Sequence, residues 1–164
     1  MRIRRAVEAD IPHILRLVAQ LDYDVANEAG EAGARAVLAN PACATLVAEE
    51  AGRVVGLVSF HIVPQLHHAA PVLTLDELVV DEGERGGGVG SALLKAAVDQ
   101  ARASGCAVVD VASAFHRTRA HRFYEAHGFV RHGIKLVLPI EPSEGQLAQN
   151  EKHGTQNGFT CRHP

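Results

Sequence analysis

The chain has 164 residues, of which 47% are hydrophobic and 21% charged, and its formal net charge at pH 7 is -3. This length suits one domain with a single core, and this composition excludes a disordered chain. The acidic balance argues against a nucleic-acid partner, because affinity for phosphate backbones depends on clustered Lys and Arg. No apolar run reaches the ~18 residues of a membrane span, and no apolar block of a secretory signal follows the basic N-terminus. We therefore expect a cytoplasmic protein with no membrane partner.

The first half of the chain predicts a strand, two helices and a hairpin. The segment RIRRAV is typical of a short strand, and the next segment, DIPHILRLVAQLD, predicts an amphipathic helix. Its apolar face carries Ile11, Ile14, Leu15, Val18 and Leu21. A second, weaker helix is expected over EAGARAVLANP, where Asn40 and Pro41 end it. The segments ATLVAEE and VVGLVSFHIV, joined by a turn at 51–53, predict a β-hairpin.

The second half alternates strands and helices. PVLTLDELVV predicts a strand, and the glycine-rich RGGGVGS leads from it into a helix over 89–104. CAVVDVAS is expected to be a buried strand, RTRAHRFYEAH a helix that ends at Gly128, and KLVLPI a final strand. This order indicates an α/β or α+β sandwich. Residues 141–164 are polar and aperiodic, which predicts a tail.

The glycine-rich segment has the character of an anion-binding loop. It lacks the lysine of a Walker A loop, and a dinucleotide-binding fingerprint would need a third glycine where the chain has Ser91. The remaining interpretation is the pattern Arg85-x-x-Gly88-x-Gly90 between a strand and a helix. Bare N–H groups at a helix N-terminus form a concave site for an anion, and a pyrophosphate would fit there.

On these residues the chain resembles the GCN5-related N-acetyltransferase (GNAT) superfamily. Its acetyl-CoA signature, Gln/Arg-x-x-Gly-x-Gly/Ala, is matched by Arg85, Gly88 and Gly90. IRRAVEADIPHILRLV is similar to the family's opening strand and helix, and AHRFYEAHGF to its closing helix and turn. The segments LHH, ELVV, RG, VGS and AHRFY are also similar to aminoalkylphosphonate N-acetyltransferases. The resemblance implies a GNAT-type, mostly antiparallel central sheet flanked by helices, in one acetyltransferase domain over 1–140 with the tail of 141–164 behind it.

The resemblance implies acetyl-CoA as co-substrate and places its binding residues. The main chain of Leu78, Val79 and Val80 is expected to pair with the pantetheine arm as an added strand would. The pyrophosphate would contact the glycine segment, namely Arg85, Gly86, Gly87, Gly88, Val89, Gly90 and Ser91. Arg117 and His121 share a helical face with Tyr124, and this face is expected to front the cofactor. Arg117 stands where the family commonly has asparagine.

Three residues are candidates for the chemistry. The resemblance assigns to Tyr124 the role of the general acid that donates to the departing thiolate, and a phenol with a pKa of about 10 is protonated at neutral pH. Asp76 or Glu77 is the expected general base. Strand alternation puts Asp76 on one face of the sheet and Glu77 on the other, so only one can face the cleft. Motif alignment favours Asp76 and leaves Glu77 open.

Two adjacent histidines are candidates for the substrate site. His67 and His68 lie between two predicted strands, where one would bind a polar substrate or relay a proton, the alternative being solvated loop residues. Neighbouring residues of an extended chain diverge, so the pair is not expected to hold a metal. The three cysteines are widely spaced without a CxxC pattern, which predicts neither disulfides nor zinc.

Together these features predict an N-acetyltransferase that transfers acetyl to a primary amine of a small molecule. The amine would attack directly in a ternary complex. Two alternatives remain, an acyl-CoA-binding sensor without catalysis and a protein or peptide N-acetyltransferase. The tail is expected to pair two copies into a homodimer, with Phe159 as its apolar anchor.

Overall fold

The structure, a computed structural model, describes residues 1–138, and within them the core is one five-stranded sheet in the order β1-β2-β3-β4-β5. The strands are β1 (Arg2–Arg5), β2 (Cys43–Glu50), β3 (Arg53–Val63), β4 (Val72–Val80) and β5 (Val108–Val111). The helices are α1 (Ile11–Ala19), α2 (Glu28–Ala39), α3 (Val89–Ala103) and α4 (Thr118–Ala126). Strands β1 to β4 are antiparallel neighbours and β5 runs parallel to β4. The mostly antiparallel sheet flanked by helices confirms the predicted fold class.

Helices α1 and α2 cover one face of the sheet. The apolar stripe of α1 buries Ile14 and Leu17 against the sheet, where they join a cluster containing Val47, Leu57 and Val79. Helix α2 begins three residues before the predicted segment. Its start is fixed by Asn27, whose side-chain oxygen accepts a hydrogen bond from the backbone N–H of Gly30 at 2.9 Å. A cap of this kind satisfies one of the free N–H groups of the first turn.

Helix α3 covers the opposite face and sits close to β3. The core on this side includes Val58, Phe60, Leu73, Leu75, Leu93 and Ala97, all nearly inaccessible to solvent. The close approach requires Gly56, because a Cβ atom there would lie 3.0 Å from the Val79 carbonyl oxygen and 3.1 Å from Leu93 Cδ1. The first turn of α3 is thereby held against the end of β4, where the glycine-rich segment enters the helix.

Two of the predicted strands differ from the structure. Lys135–Leu138, the described part of KLVLPI, forms no strand, and Leu136 and Leu138 are 90% and 82% exposed. A short apolar run favours a strand, but a strand forms only where a neighbour supplies hydrogen bonds. The last two residues of KLVLPI and the tail of 141–164 lie outside the described residues.

Strand β5 is shorter and more exposed than expected. It spans four residues, and its first, Val108, is 39% exposed. The reason is its position at the edge of the sheet, because among residues 1–138 it pairs with β4 alone. The remaining predicted elements are confirmed within a few residues at each end, including the hairpin turn, where Ala51 and Gly52 both have positive φ. No helix in the described part of the chain is long and apolar enough to cross a membrane.

Candidate active site

The second half of β4 has one edge without a strand partner among the described residues. β4 pairs with β5 only from Val72 to Leu75, while on its other edge it remains paired with β3 as far as Val80. The backbone from Asp76 to Val80 therefore offers one edge for an added, extended ligand. Leu78, Val79 and Val80, the residues predicted to pair with pantetheine, lie on this edge.

The glycine-rich segment connects this edge to α3. Gly86 and Gly88 have φ of +93° and +85°, a conformation that residues with a side chain rarely adopt. Gly88 is the N-cap of α3, and no side chain caps the helix there. The first N–H groups of α3 thus lack intrahelical acceptors, and with the positive end of the helix dipole they form a site for an anion. Gly90 lies against Val80 and Phe123, each 3.5 Å from where its Cβ would be.

Arg85 holds the loop beside the strand. Its Nε donates to the carbonyl oxygen of Val80 at 3.0 Å, and its guanidinium also lies 3.4 Å from the carboxylate of Glu82. The hydrogen bond to Val80 uses one carbonyl acceptor at the end of the β4 edge that was predicted to pair with pantetheine. In this structure the Arg85 side chain therefore holds the start of the glycine-rich segment against β4. We call the backbone N–H groups of residues 86–91 the cradle.

One residue of the cradle has a partner that the sequence analysis did not identify. His127, which follows α4, has its Nδ1 at 2.7 Å from the carbonyl oxygen of Phe123 and its Nε2 at 3.0 Å from Ser91 Oγ. A carbonyl oxygen only accepts, so Nδ1 carries the hydrogen of neutral His127. Its Nε2 then accepts a hydrogen bond from the Ser91 hydroxyl. This contact ties the end of α4 to the first turn of α3. In the sequence, a histidine just before the glycine that ends a helix did not indicate a contact with the first turn of another helix.

Tyr124 lies on α4 in an aromatic group. Its ring is 5.3 Å from the rings of Phe123 and Phe129, measured between centroids. Burial raises the pKa of the Tyr124 phenol to about 12, against the opposing effect of the nearby positive charge of Arg117. The phenol is therefore protonated at neutral pH. No described residue forms a hydrogen bond with its hydroxyl, which leaves the proton free for a ligand.

Arg117 lies at the start of α4 and contacts the segment between α1 and α2. It precedes α4 as the N-cap residue, and its Nη2 donates to the carbonyl oxygen of Leu21 at 2.6 Å. The guanidinium also lies 5.8 Å from the ring centroid of Tyr23. Arg117 thus fastens the connection between α1 and α2 to the start of α4. His121 remains on α4, half-buried, one turn before Tyr124.

The expected alternation of Asp76 and Glu77 is wrong, because β4 contains a bulge. Ser59 pairs with Glu77 and Phe60 with Leu75, so Asp76 is an extra residue without a partner on β3. A bulge shifts the alternation of side chains by one. Glu77 points with Ser59 toward the face covered by α1 and α2, and the Asp76 carboxylate contacts a histidine of β3 on that same face. Both carboxylates therefore belong to one cluster.

That histidine is His61, which the sequence analysis did not single out. Its Nδ1 lies 3.0 Å from each carboxylate oxygen of Asp76. Glu77 is more deeply placed, and burial, followed by the negative charge of Asp76, raises the pKa of its carboxyl, while a hydrogen bond from Ser59 opposes the shift. Ser59 Oγ in turn lies 3.4 Å from Thr45 Oγ1 on β2. A row of polar side chains thus crosses β2, β3 and β4 on the face covered by α1 and α2.

His67 and His68 approach each other instead of diverging. They lie in a turn, closed by a hydrogen bond from the His68 N–H to the carbonyl of Gln65, and their ring centroids are 4.4 Å apart. The expected divergence holds for an extended chain and does not apply to a turn. Within residues 1–138, no group of three or more His, Cys, Asp or Glu side chains is arranged to hold a metal ion.

Comparison with known proteins agrees with this geometry. The model of the acetyltransferase (GNAT) family matches residues 13–129. An aminoalkylphosphonate N-acetyltransferase of Salmonella typhimurium is 33% identical over 139 residues, which cover 84% of this chain and 90% of that protein. A proposed acetyltransferase from Agrobacterium tumefaciens strain C58 has a similar structure, with a TM-score of 0.77 and 29% identity over 85% of this chain and all of that one.

A further solved structure with this fold contains a cofactor analogue. AAC(6')-Iy, in complex with the bisubstrate analogue CoA-S-monomethyl-acetylneamine, superposes with a TM-score of 0.75 at 20% identity, over 86% of this chain and 98% of that one. The residues present here fit the same cofactor, because an uncapped, glycine-rich helix start adjoins a strand edge that has no partner within residues 1–138. The chain therefore belongs to the GNAT family and is an N-acetyltransferase that uses acetyl-CoA as its co-substrate.

Proposed function

We propose that this N-acetyltransferase transfers acetyl to the primary amine of a small molecule by direct attack in a ternary complex. The observation that carries the proposal is the adjacency of three features: an edge of β4 without a partner among the described residues, an uncapped helix start and a protonated tyrosine. The strand edge and the helix start suit the two ends of the phosphopantetheine arm. No covalent enzyme intermediate is needed, since a bound thioester already has an activated carbonyl group.

The cofactor would be held by main-chain groups. Leu78, Val79 and Val80 pair with the pantetheine amides, and the N–H groups of residues 86–91 take the pyrophosphate. When bound, acetyl-CoA supplies the thioester that is cleaved. Arg85 and Ser91 support the loop through their contacts with Val80 and His127.

Gly88→Val tests this assignment. The substitution puts a β-branched residue at a φ of +85° and a side chain beside the N–H cradle. We expect the affinity for CoA, measured by calorimetry, to fall by about 2 kcal/mol or more, because donors of the cradle lose their partner. Gly33→Ala on α2, where a Cβ has open space, is the matched control. Unchanged affinity in a folded Gly88→Val protein would remove the cradle from the site.

Tyr124 is the proposed general acid. As the C–S bond of the tetrahedral intermediate breaks, the departing thiolate takes the phenol proton. Tyr124→Phe keeps the ring against Phe123 and Phe129 and removes only the hydroxyl. We expect turnover to fall about ten- to a thousandfold with little change in cofactor affinity. Wild-type turnover in this variant would leave Tyr124 as a packing residue.

The leading class of acceptor is the aminoalkylphosphonates. Support comes from the Salmonella relative at 33% identity and from the adjacent pair His67 and His68, whose imidazoles suit an anionic group. A thiol-release assay should compare aminoalkylphosphonates with polyamines, aminoglycosides, amino acids and peptide N-termini. We expect the highest kcat/KM with an aminoalkylphosphonate. Binding of acetyl-CoA without turnover of any amine would instead favour an acyl-CoA sensor.

We further propose a homodimer located in the cytoplasm, with the domain of 1–140 followed by the tail of 141–164. The tail lies outside the described residues, so the support is the composition of the sequence alone. Light scattering on the full-length protein and on a chain stopped after residue 140 tests whether the protein is a dimer and whether the tail forms the interface. A full-length monomer at micromolar concentration would contradict the dimer, and a dimer that survives truncation would show that the tail does not form the interface.

A further inference from the structure

The bulge in β4 places two carboxylates and a histidine on one face of the sheet, beside the strand edge that has no partner within residues 1–138. Asp76 follows Leu75 and points to the opposite face, where β3 presents His61 and the two side chains are in contact. Because the bulge leaves Asp76 without a partner on β3, Glu77 also lies on this face, opposite Ser59, instead of on the face of Phe60 and Leu75 that is filled by α3. β-Bulges re-aim side chains in this way and are common beside active sites.

The hydrogen-bond geometry fixes which ring nitrogen of His61 is available. Nδ1 lies 3.0 Å from both carboxylate oxygens of Asp76, and an ionised carboxylate only accepts, so Nδ1 carries the hydrogen. In the neutral ring the lone pair is then on Nε2, which has no hydrogen-bond partner in the described part of the chain. The side chain is 33% exposed, so Nε2 is accessible to a ligand. An imidazole oriented by a carboxylate at Nδ1 is the arrangement of a general base.

The groups around His61 fit this role. On the neighbouring strands, the titratable residues near His61 are Asp76 and Glu77 of β4 and Cys43 of β2. From β1, the Arg5 guanidinium donates to the Cys43 carbonyl at 3.3 Å. The two carboxylates attract a protonated amine. Glu77 is more buried, and Ser59 occupies part of its hydrogen-bonding capacity, whereas the His61 side chain is accessible to solvent.

We propose that His61 is the general base that removes the proton of the acceptor ammonium, and that Asp76 is the positioning residue that holds its tautomer. This inference rests on the proposed function. The proton passes from the ammonium to Nε2, and the freed lone pair forms the C–N bond at the thioester carbonyl. The C–S bond then breaks, sulfur keeps the electron pair and takes the proton of Tyr124, and the amide nitrogen's surplus proton restores the phenol. The proton on His61 leaves to solvent, so one proton is released per acetyl transferred.

Three variants test the assignment in the full-length protein with the best acceptor of the panel. His61→Gln should lower kcat about a hundredfold or more with the KM for acetyl-CoA unchanged, and the acidic limb of its kcat/KM profile should vanish. His61→Ala should be reactivated at least tenfold by added imidazole, an effect that a structural role would not produce. Asp76→Asn should keep part of the activity and displace the acidic limb. His13→Gln, on the exposed side of α1, is the control and should match the wild type.

The outcomes separate this assignment from the proposed function. A wild-type protein that acetylates no amine overturns both. A wild-type protein that turns over while His61→Gln retains full kcat, or while imidazole fails to rescue His61→Ala, overturns the assignment of His61 alone. Loss of activity in Glu77→Gln with full activity in both His61 variants would assign the base to Glu77. Nitrogen-15 NMR adds a readout independent of activity, because hydrogen on Nε2 of neutral His61 would contradict the proposed tautomer.

Discussion

Two charged clusters lie on the face of the sheet covered by α1 and α2, and they differ in how fully their charges are paired. At β1, Arg4 donates to both oxygens of the buried Asp10, at 2.7 and 2.9 Å, and to Glu49 at 2.7 Å. Asp10 accepts a third hydrogen bond from the Val7 N–H at 2.8 Å. At the bulge of β4, each of two neighbouring carboxylates has a single side-chain partner, a histidine for one and a hydroxyl for the other.

The difference appears in the pKa values of the carboxyls. The hydrogen bonds from Arg4 lower the pKa of Asp10 and outweigh the opposing effect of burial. Burial and the charge of Asp76 raise the pKa of Glu77, because a single hydrogen bond from Ser59 does not compensate. A closed cluster stabilises the fold, whereas an open one leaves donors and acceptors for a ligand. The comparison therefore indicates a structural role for the first cluster and supports the chemical role proposed for the second.

The largest expected effect comes from breaking the closed cluster. Asp10→Ala leaves the guanidinium of Arg4 without its main partner and the Val7 N–H without an acceptor. We expect the free energy of unfolding, measured with urea, to fall by about 3 kcal/mol. Arg35→Ala removes an exposed pair with Glu8 and serves as control, with little change in stability. Equal stability of the Asp10→Ala and wild-type proteins would contradict the structural role.

A smaller effect is expected from acid. Because the pKa of Asp10 is lowered in the folded protein, the unfolded chain binds its proton more readily. The stabilisation is complete above the ordinary carboxyl value and is lost as the pH falls toward the lowered one. Asp10→Asn should therefore reduce the loss of stability on acidification, measured by urea unfolding between neutral pH and pH ~3. An identical pH dependence in both proteins would exclude Asp10 as its source.

The smallest expected change in stability concerns the open cluster and has the opposite sign. The pKa of Glu77 is raised, so the folded state holds this proton more tightly and loses stability as the pH rises from the ordinary value through the raised one. Glu77→Gln should be at least as stable as the wild type near neutral pH while its turnover falls. Thermal unfolding and the thiol-release assay measure the two quantities. Destabilisation at neutral pH would show that Glu77 belongs to a closed cluster like that of Asp10.

Much of the fold could be predicted because its signals are local. The apolar stripe of α1, the turn at Ala51 and Gly52, and the helix end at Gly128 each depend on a few neighbouring residues. The exceptions depend on distant partners. The apolar run of KLVLPI favours a strand, but Lys135–Leu138 pairs with no strand among the described residues and lies outside the sheet.

The sequence by itself determined the family, the cofactor and the position of the glycine-rich segment at the start of α3, because a glycine at positive φ and an uncapped helix start require particular residues at fixed spacing. Only the tertiary structure decided the surroundings of Asp76 and Glu77. A bulge arises from the register between two strands, and the register of β3 and β4 is set by the packing of both sheet faces. For this reason His61, 15 residues from Asp76 in the chain, becomes its hydrogen-bond partner through a contact that no local pattern encodes.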